Sequence, residues 1–400
     1  MTTTPTAHTP DPGDVLPSPQ DEAVLLDWLE TKRAQAPVWA DRYGVYHVFG
    51  HAEVAAVLKD TDTFSSQTSR KVPAVQASSA GMLTQLDPPE HGQMRHVVSK
   101  AFTPRTVAGL EPRIREITRT LLDRAGPRFD LVEALAFPLP VTVIAELLGL
   151  PESDHDRFRT WADAMFSMQV GDPAAAELTG DAGDAFTAIT AYLVDQVRAR
   201  RTTGTEDLIT ALVAAEVDGR RLDDQEAANF SMLLLLAGHI TTTVLLGNAV
   251  RTFTEHPWVW DTLATDPTRI PAAIEEVLRY RPPFTQTGRV TTRATTLAGV
   301  DIPADSFVLP SLLSACRDPH AYPDPNRFDL DRGLGGGAQL AFGHGVHFCL
   351  GAPLARLETR VALEEILDRY HGLDVVPGAE QHPYPQAVLG ARTLSVLARS

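Results

Sequence analysis

The chain contains very little cysteine: two residues, Cys316 and Cys349, among 400. Two cysteines cannot build the disulfide framework of a small secreted protein, and they fit a reducing, cytoplasmic compartment. With 44% hydrophobic residues the chain is long enough to bury a large core without covalent cross-links. Stability is therefore expected to come from packing.

Positive charge is also scarce, with 35 basic against 51 acidic residues and a net charge of -16. This balance argues against general binding of nucleic acid or of anionic membranes. Residues 1–20 have neither a basic start nor an apolar stretch, so we predict a disordered tail followed by one domain over residues 21–400. The most apolar stretch, residues 232–246, is shorter than the roughly 20 residues of a membrane span and predicts a buried central helix.

Helical patterns extend from about residue 89 to 250, and shorter strand patterns follow Pro282, which predicts a mainly α fold with a smaller β-rich part. Asp223 and Glu226 form a capping-box pattern that would start the central helix. A short helix is predicted at about residues 52–59. Strands are predicted at residues 45–49 and around Val290, Val300 and Val308, with a final strand pair near Val388 and Leu397.

Cys349 lies in the glycine-spaced segment Phe342–Gly351, directly before a long amphipathic pattern. The sulfur would lie close to a helix N-terminus, where unpaired N–H groups and the helix dipole favour a thiolate. A lone cysteine is ordinarily a small core residue. Here Gly343, Gly345 and Gly351 argue otherwise, because they leave room beside the sulfur for a flat ligand.

Two other interpretations of nearby motifs are weaker. His344, His347 and Cys349 are zinc-type ligands, but no fourth ligand or second cluster stands at a suitable spacing. Residues 333–338 formally fit a dinucleotide fingerprint, although no clear strand precedes them and no helix follows directly, which favours a flexible loop.

The cysteine segment resembles the haem-ligand loop of the cytochrome P450 family, in which a cysteine thiolate binds haem iron and favours O–O cleavage. The resemblance extends from about residue 25 to the end, because further family motifs follow in order. It implies the P450 fold, with haem b between the central helix and the cysteine loop and with Cys349 as the metal ligand. The cofactor-binding residues it implies are His91, Arg95, Ala237, Arg289, Phe342, Gly343, His347, Cys349 and Gly351.

Among these, His91, Arg95, Arg289 and His347 would contact the two haem propionates, and Phe342 would pack over the sulfur. Asp87 would cap the helix that carries His91 and Arg95. Glu276 and Arg279, at positions i and i+3 of one helix, resemble the family's Glu-x-x-Arg element. The third partner of this structural network would be Arg327.

Ala237–Thr242 in the central helix resembles the family's oxygen-binding kink, where Gly238 would make room and Thr241 would hydrogen-bond dioxygen. The position before the threonine is usually acidic, and here it is Ile240. His239 is a candidate substitute for the acid. We hypothesise that ordered water, Thr241 and a substrate hydroxyl deliver protons.

The resemblance places substrate contacts on segments that include residues 65–82 and 166–184, which have the composition of adaptable lids. An apolar pocket with a few hydroxyls suits a bulky natural product. The predicted pocket residues are Met82, Leu233, Ala237, Phe284, Thr285 and Leu389.

The sequence therefore predicts a haem-thiolate monooxygenase that hydroxylates or epoxidises a natural product. Oxidative coupling of a natural product and a haem-thiolate sensor without turnover are the alternatives. We expect a cytoplasmic monomer that binds neither nucleic acid nor membrane and receives electrons from a ferredoxin and an NAD(P)H-dependent ferredoxin reductase. The cations expected at the ferredoxin-docking face are Lys100, Arg105, Arg356 and Arg360.

Overall fold

The structure is a computed structural model that describes residues 16–71, 81–99, 102–166, 180–217, 219–332, 339–379, 384 and 387–399. Residues 1–15 of the predicted tail, Lys100, the glycine-rich stretch 333–338 and most of the two predicted lid segments (72–80 and 167–179) lie outside this range. In the described part of the tail, Leu16 packs against a cluster of buried apolar residues.

Helices make up most of the described chain, as the sequence predicts. The described α-helices are Glu22–Gln35, His51–Lys59, Glu90–Ser99, Pro104–Gly109, Glu111–Arg124, Pro138–Leu148, His155–Phe166, Gly180–Thr202, Leu208–Ala214, Asp224–Glu255, Trp258–Thr265, Ile270–Tyr280, Leu312–Ala315 and Ala352–Tyr370. One large cluster of buried apolar side chains draws on residues from Leu83 to Val396 and packs most of these helices together.

The central helix, Asp224–Glu255, starts at the predicted capping box. The Asp223 carboxylate accepts the Glu226 N–H at 2.8 Å, and the Glu226 carboxylate accepts the Asp223 N–H at 2.9 Å. The helix has the length and apolar composition of a membrane span, but 67% of its most apolar 18-residue window is buried inside the protein. It is the core helix that the apolar stretch predicts.

Strands form small sheets beside the helices. A five-stranded sheet contains, in spatial order, Val38–Ala40, Tyr46–Val48, Phe307–Pro310, Arg289–Thr291 and Phe64–Ser65. A three-stranded sheet contains Leu373–Val375, Ser395–Ala398 and Arg128–Asp130, and two hairpins pair Glu216–Val217 with Arg220–Arg221 and Thr295–Leu297 with Val300–Ile302. The strands expected at residues 45–49 and near Val290, Val300 and Val308 are confirmed.

The predicted pairing of Val388 with the Leu397 strand is wrong. Leu397 pairs with Asp374 and Arg128, whereas Val388 forms an isolated bridge with Phe284. The reason is close packing: a Cβ on Gly390 would lie 2.6 Å from Val244 Cγ1, so the backbone there rests directly on the central helix.

Candidate active site

A cavity of about 260 Å³ separates the central helix from the cysteine loop, residues 342–351. Cys349 faces it from the loop, and Leu233, Ala237, Gly238 and Thr241 face it from the helix. Ala237 is exposed even though the helix around it is largely buried, because the cavity opens there. Apolar side chains supply most of the remaining lining, including Leu83, Phe102, Ile144, Phe230, Leu234 and Leu354.

The local fold places Cys349 just before the helix Ala352–Tyr370, as predicted. Its N–H donates to the Phe342 carbonyl at 2.9 Å, which closes the turn. Burial raises the pKa of Cys349, although hydrogen bonds from the backbone of Gly351 and Ala352 oppose the shift. The N–H groups at the helix start therefore favour the thiolate as expected, but burial outweighs them. A metal cation at the sulfur would reverse the balance, since a coordinating thiol is deprotonated.

The loop glycines serve different purposes. A Cβ on Gly351 would lie 4.0 Å from the Cys349 sulfur, so this residue keeps space beside the sulfur as predicted. Gly343 and Gly345 have φ values of +72° and +71°, and a Cβ on Gly345 would lie 2.9 Å from the Leu58 carbonyl oxygen. These two glycines form the turn and let it approach the helix His51–Lys59.

Four groups that carry or can carry positive charge gather at one edge of the cavity. The rings of His91 and His347 lie 4.2 Å apart between centroids, and burial together with His91, Arg289 and Arg95 lowers the pKa of His347 to about 3. Burial lowers the pKa of Arg289 to about 10. His91 Nε2 and Arg289 Nε are buried without a hydrogen-bond partner among the described residues. Such a cluster fits a ligand that brings carboxylates, as the two haem propionates would.

Arg95 and His347 also hold the cysteine loop. Arg95 donates to the carbonyls of Val346 (3.1 Å) and Phe348 (2.7 Å). His347 Nε2 lies 2.9 Å from Ser66 Oγ.

The Asp87 carboxylate accepts hydrogen bonds from the side chain of Ser65 and the backbone of Ser66. The predicted cap at Asp87 is therefore wrong, because its side chain anchors residues 65–66 instead of the helix Glu90–Ser99.

In the central helix, the Thr241 hydroxyl lies in the cavity wall and donates to the Ala237 carbonyl at 2.9 Å. The helix Asp224–Glu255 continues through this turn. Gly238 lines the cavity, and a Cβ there would lie 3.1 Å from Ile144 Cγ1. Gly238 thus packs tightly against the neighbouring helix Pro138–Leu148 as well as lining the cavity.

His239 and Ile240 point away from the cavity. His239 Nδ1 lies 2.7 Å from the Leu235 carbonyl, the ring packs edge-to-face on Phe137, and burial lowers its pKa to about 4. A neutral imidazole in this position cannot replace the missing acid, so that suggestion is wrong. Ile240 packs in an apolar cluster with Val244, Tyr384 and Val388.

The family model named Cytochrome P450 matches residues 159–394, more than half of the chain. Erythromycin C-12 hydroxylase of Saccharopolyspora erythraea is 58% identical over 388 residues, which cover 97% of this chain and 98% of the relative. This chain is a cytochrome P450. Cyclomarin C epoxidase CymV of Salinispora arenicola is 40% identical to the P450 over 94% of this chain and 96% of the relative.

Solved structures agree with the assignment. A mutant of P450 EryK in complex with erythromycin B superposes on the P450 with a TM-score of 0.92, at 58% identity, covering 96% of this chain and 98% of that chain. The ligand-free structure of P450 TbtJ1 gives a TM-score of 0.85 at 48% identity, covering 94% and 97%. The P450 fold and the monooxygenase class are therefore established. The zinc interpretation fails, since no group of three or more metal-ligating side chains forms within the described ranges.

Sequence reasoning missed Glu358 of this P450. The residue is 1% exposed and lines the cavity together with Thr242, while its Oε2 atom is buried without a partner among the described residues. Burial raises its pKa to about 8. The pattern that could have found it is an acid four residues after Leu354, on the apolar face of the helix after the cysteine.

The structural network contains Glu276 and Arg279 as predicted, but its third side chain is different. Arg279 Nη2 donates to Glu276 Oε1 at 2.8 Å, and Arg332 Nε donates to the same oxygen at 3.1 Å. Arg327 contributes its backbone carbonyl, while 69% of its side chain is exposed. The prediction of Arg327 is wrong because the chain turns its guanidinium outward, towards Asp329.

Only part of the predicted pocket lines the cavity. Leu233 and Ala237 do, whereas Met82 packs against the main core beside it. Phe284 joins the cluster around Ile240, and the Thr285 hydroxyl donates to the Ala387 carbonyl at 3.2 Å. Leu389 packs against the N-terminal helix Glu22–Gln35, so its placement in the pocket is wrong.

Two of the cations predicted at the ferredoxin-docking face, Arg356 and Arg360, form ion pairs with acidic residues. Arg356 pairs with Glu275 at 2.5 Å and stacks on Phe342, and Arg360 pairs with Glu111 and Glu364 at 2.7 Å. Arg105 is exposed. Lys59, which sequence reasoning overlooked, is also exposed and lies against the cysteine loop at Gly345.

Proposed function

We propose that this P450 hydroxylates or epoxidises a bulky natural product of the macrolide kind in the cytoplasm. The observation that carries the proposal is the apolar cavity with Cys349 on one side and Ala237 and Thr241 on the other. The substrate class is supported by the relatives, since one is named an erythromycin hydroxylase and another a cyclomarin epoxidase. Both names describe oxygen insertion and favour it over oxidative coupling.

The residues present fit haem b. Cys349 would be the axial ligand, Gly351 would leave space beside the sulfur, and His91, Arg95 and Arg289 would meet the propionates. Bound haem supplies the activation of O2, which with two electrons and two protons yields one oxygen atom for the substrate and one water molecule. The protein must bind and orient the substrate, exclude bulk water and supply protons.

Glu358 and Thr242 are suited to the proton supply. Because the pKa of Glu358 is raised to about 8, its carboxyl is protonated at neutral pH. It borders the cavity beside Thr242, whose neighbour Thr241 lies in the cavity wall. This pair would take the place of the acidic residue that is missing at position 240. Thr241 would orient the proton at the cavity side.

Electrons would come from a ferredoxin that docks at the cysteine loop. Val346 and Phe348 are exposed there, and Lys59 lies beside Gly345 of the loop. The exposed Arg105 lies on the helix Pro104–Gly109, which packs against the helix that follows the cysteine. This is a small apolar surface with positive charge beside it, which suits an acidic partner. The ion-paired Arg356 and Arg360 would contribute little.

The test is a titration of the holoenzyme with erythromycin B and a panel of macrolides, followed by turnover with ferredoxin, reductase and NADPH. We expect a substrate-induced change in the haem spectrum and a product that has gained one oxygen atom. Dimerised product would instead indicate oxidative coupling. Spectral binding without cofactor oxidation for every ligand would indicate a sensor and contradict the proposal.

A further inference from the structure

A stack of three side chains connects the helix Ile270–Tyr280 with the cysteine loop. The Arg356 guanidinium lies over the Phe342 ring, 4.5 Å from the ring centroid. It also pairs with the Glu275 carboxylate, at 2.5 Å through Nε and at 3.0 Å through Nη2. The two-point ion pair fixes the plane of the guanidinium, and its distance to the ring is that of a cation–π contact. We call Glu275, Arg356 and Phe342 the cation stack.

Glu275 also holds the chain that leads into the cysteine loop. The Gln339 side-chain amide donates to Glu275 Oε2 at 3.3 Å, and the Gln339 side-chain oxygen accepts the Ala341 N–H at 2.7 Å. Ala341 directly precedes Phe342 in the chain. Contacts from one carboxylate therefore reach both the backbone next to Phe342 and, through Arg356, its ring.

Phe342 and the sulfur of Cys349 belong to one turn. The Cys349 N–H donates to the Phe342 carbonyl at 2.9 Å, and both residues line the cavity. Arg356 lies on the helix Ala352–Tyr370, which starts directly after this turn. The cation stack thus brings a positive charge next to the loop that carries the sulfur.

The charge of Arg356 acts on the sulfur itself. Burial raises the pKa of Cys349, and Arg356 is among the groups that oppose this shift. The side chains of Arg356 and Glu275 are 35% and 29% exposed, so water screens their charges only in part. A cation that stabilises negative charge on the sulfur weakens the transfer of electron density from a thiolate to iron.

We propose that Arg356 is a positioning residue for the haem ligand: it holds the Phe342 ring beside Cys349, and its charge raises the reduction potential of the haem iron. The inference rests on the proposed function, in which Cys349 is the axial ligand and a ferredoxin supplies single electrons. Arg356 acts through Phe342 and through its charge, so it is not a catalytic group. The sequence places this cation at the ferredoxin-docking face, whereas the cation stack directs it to the cysteine loop.

The experiment measures the reduction potential of the substrate-free holoenzyme by spectroelectrochemistry. Arg356→Met removes the charge at similar length, so the equilibrium constant for one-electron reduction should fall about fivefold, which is about 40 mV towards negative potential. Arg356→Lys keeps the charge and should stay within about twofold of the wild type. Arg360→Met is the matched control, because Arg360 lies one turn later on the same helix but pairs with Glu111 and Glu364. Its constant should also stay within about twofold.

Glu275→Gln separates the charge of the cation stack from its rigidity, and it serves as a second route if Arg356→Met does not load haem. Gln removes the negative charge beside Arg356 but keeps a hydrogen-bond acceptor, so the local charge becomes more positive and the potential should rise. A loosened Phe342 would shift the potential in the same direction in Glu275→Gln and Arg356→Met. That result, or a wild-type potential in Arg356→Met, would overturn the proposal.

The affinity for a plant-type ferredoxin distinguishes this role from docking. In Arg356→Met the Kd of that ferredoxin should change by less than about twofold. A large rise in Kd at a wild-type potential would show that Arg356 is a docking residue and would contradict the inference, as would an equal shift of potential in Arg360→Met. The reduced carbon-monoxide spectrum should keep its thiolate-type band in each variant. Absence of that band from the wild-type protein would instead refute the proposed function.

Discussion

Glu358, on the helix Ala352–Tyr370, and Thr242, on the central helix, face the same cavity, and the Glu358 side chain is buried there. Desolvation disfavours the charged form of this carboxyl and raises its pKa to about 8. A protonated acid thus stands next to the turn that carries Thr241. In the proton route that we propose, the acid lies on the helix that follows the cysteine, whereas the central helix holds Ile240 next to Thr241.

Replacement of Glu358 by Gln should uncouple turnover. Gln keeps the volume and polarity of the side chain but has no acidic proton, so product formed per NADPH should fall roughly tenfold or more, with peroxide as the by-product. Glu365→Gln is the matched control, because Glu365 lies on the same helix but pairs with Arg115 and Arg119. Wild-type coupling in Glu358→Gln would rule out this proton route.

The same substitution should change the pH dependence of stability. The folded pKa of Glu358 is raised from 4.5 to about 8, so folding favours the protonated form. Its contribution is fully present below pH 4.5 and is lost as pH rises towards 8. Between pH 5 and pH 9 the thermal midpoint of the wild type should therefore fall more than that of Glu358→Gln. Parallel curves would show that Glu358 ionises normally.

Ile240→Glu should not restore a conventional proton relay. Ile240 is 2% exposed and packs with Val244, Tyr384 and Val388, so a carboxylate there would be desolvated. We expect a loss of about 2–4 kcal/mol in unfolding free energy and no gain in coupling. Ile240→Val, which should cost about 0.5–1.5 kcal/mol, controls for packing. A large gain in coupling in the Glu variant would show that the native proton supply is incomplete.

Arg332 and Arg327 offer a paired test of the network around Glu276. Removing the Arg332 guanidinium by Arg332→Met leaves a buried carboxylate short of one partner and should cost about 3 kcal/mol or more, measured by denaturant unfolding. Arg327→Met should stay within about 0.5 kcal/mol, because that side chain is exposed. Equal losses of unfolding free energy in the two variants would mean that the Arg327 side chain stabilises the network more than its contacts indicate.

Much of the fold was predictable from the sequence. The capping box at Asp223, the apolar central helix and the short strands after Pro282 each carry a local pattern that survives folding. The strand pairing of Val388 was not predictable, because it depends on the close approach of Gly390 to Val244, which are far apart in the sequence.

The positions of some site residues were also predictable from the sequence, and those of others were not. Cys349, His91 and Arg95 line one cavity as their motifs predict, and Arg289 lies near enough to His347 to lower its pKa. Side-chain direction was the source of the errors: His239 and Leu389 lie on the expected elements but face other neighbours. Glu358 was missed for the opposite reason, because an acid on an apolar helix face reveals its role only when its neighbours are known.

The reduced carbon-monoxide spectrum of Cys349→Ala tests the central claim most directly. Cys316→Ala is the matched control, since Cys316 is equally a free thiol but is fully buried and accepts the Leu340 N–H at 3.3 Å. Wild-type protein and Cys316→Ala should both show the red-shifted band of thiolate ligation, and Cys349→Ala should lose it. Persistence of that band in Cys349→Ala, or its loss in Cys316→Ala alone, would contradict the assignment of Cys349 as the haem ligand.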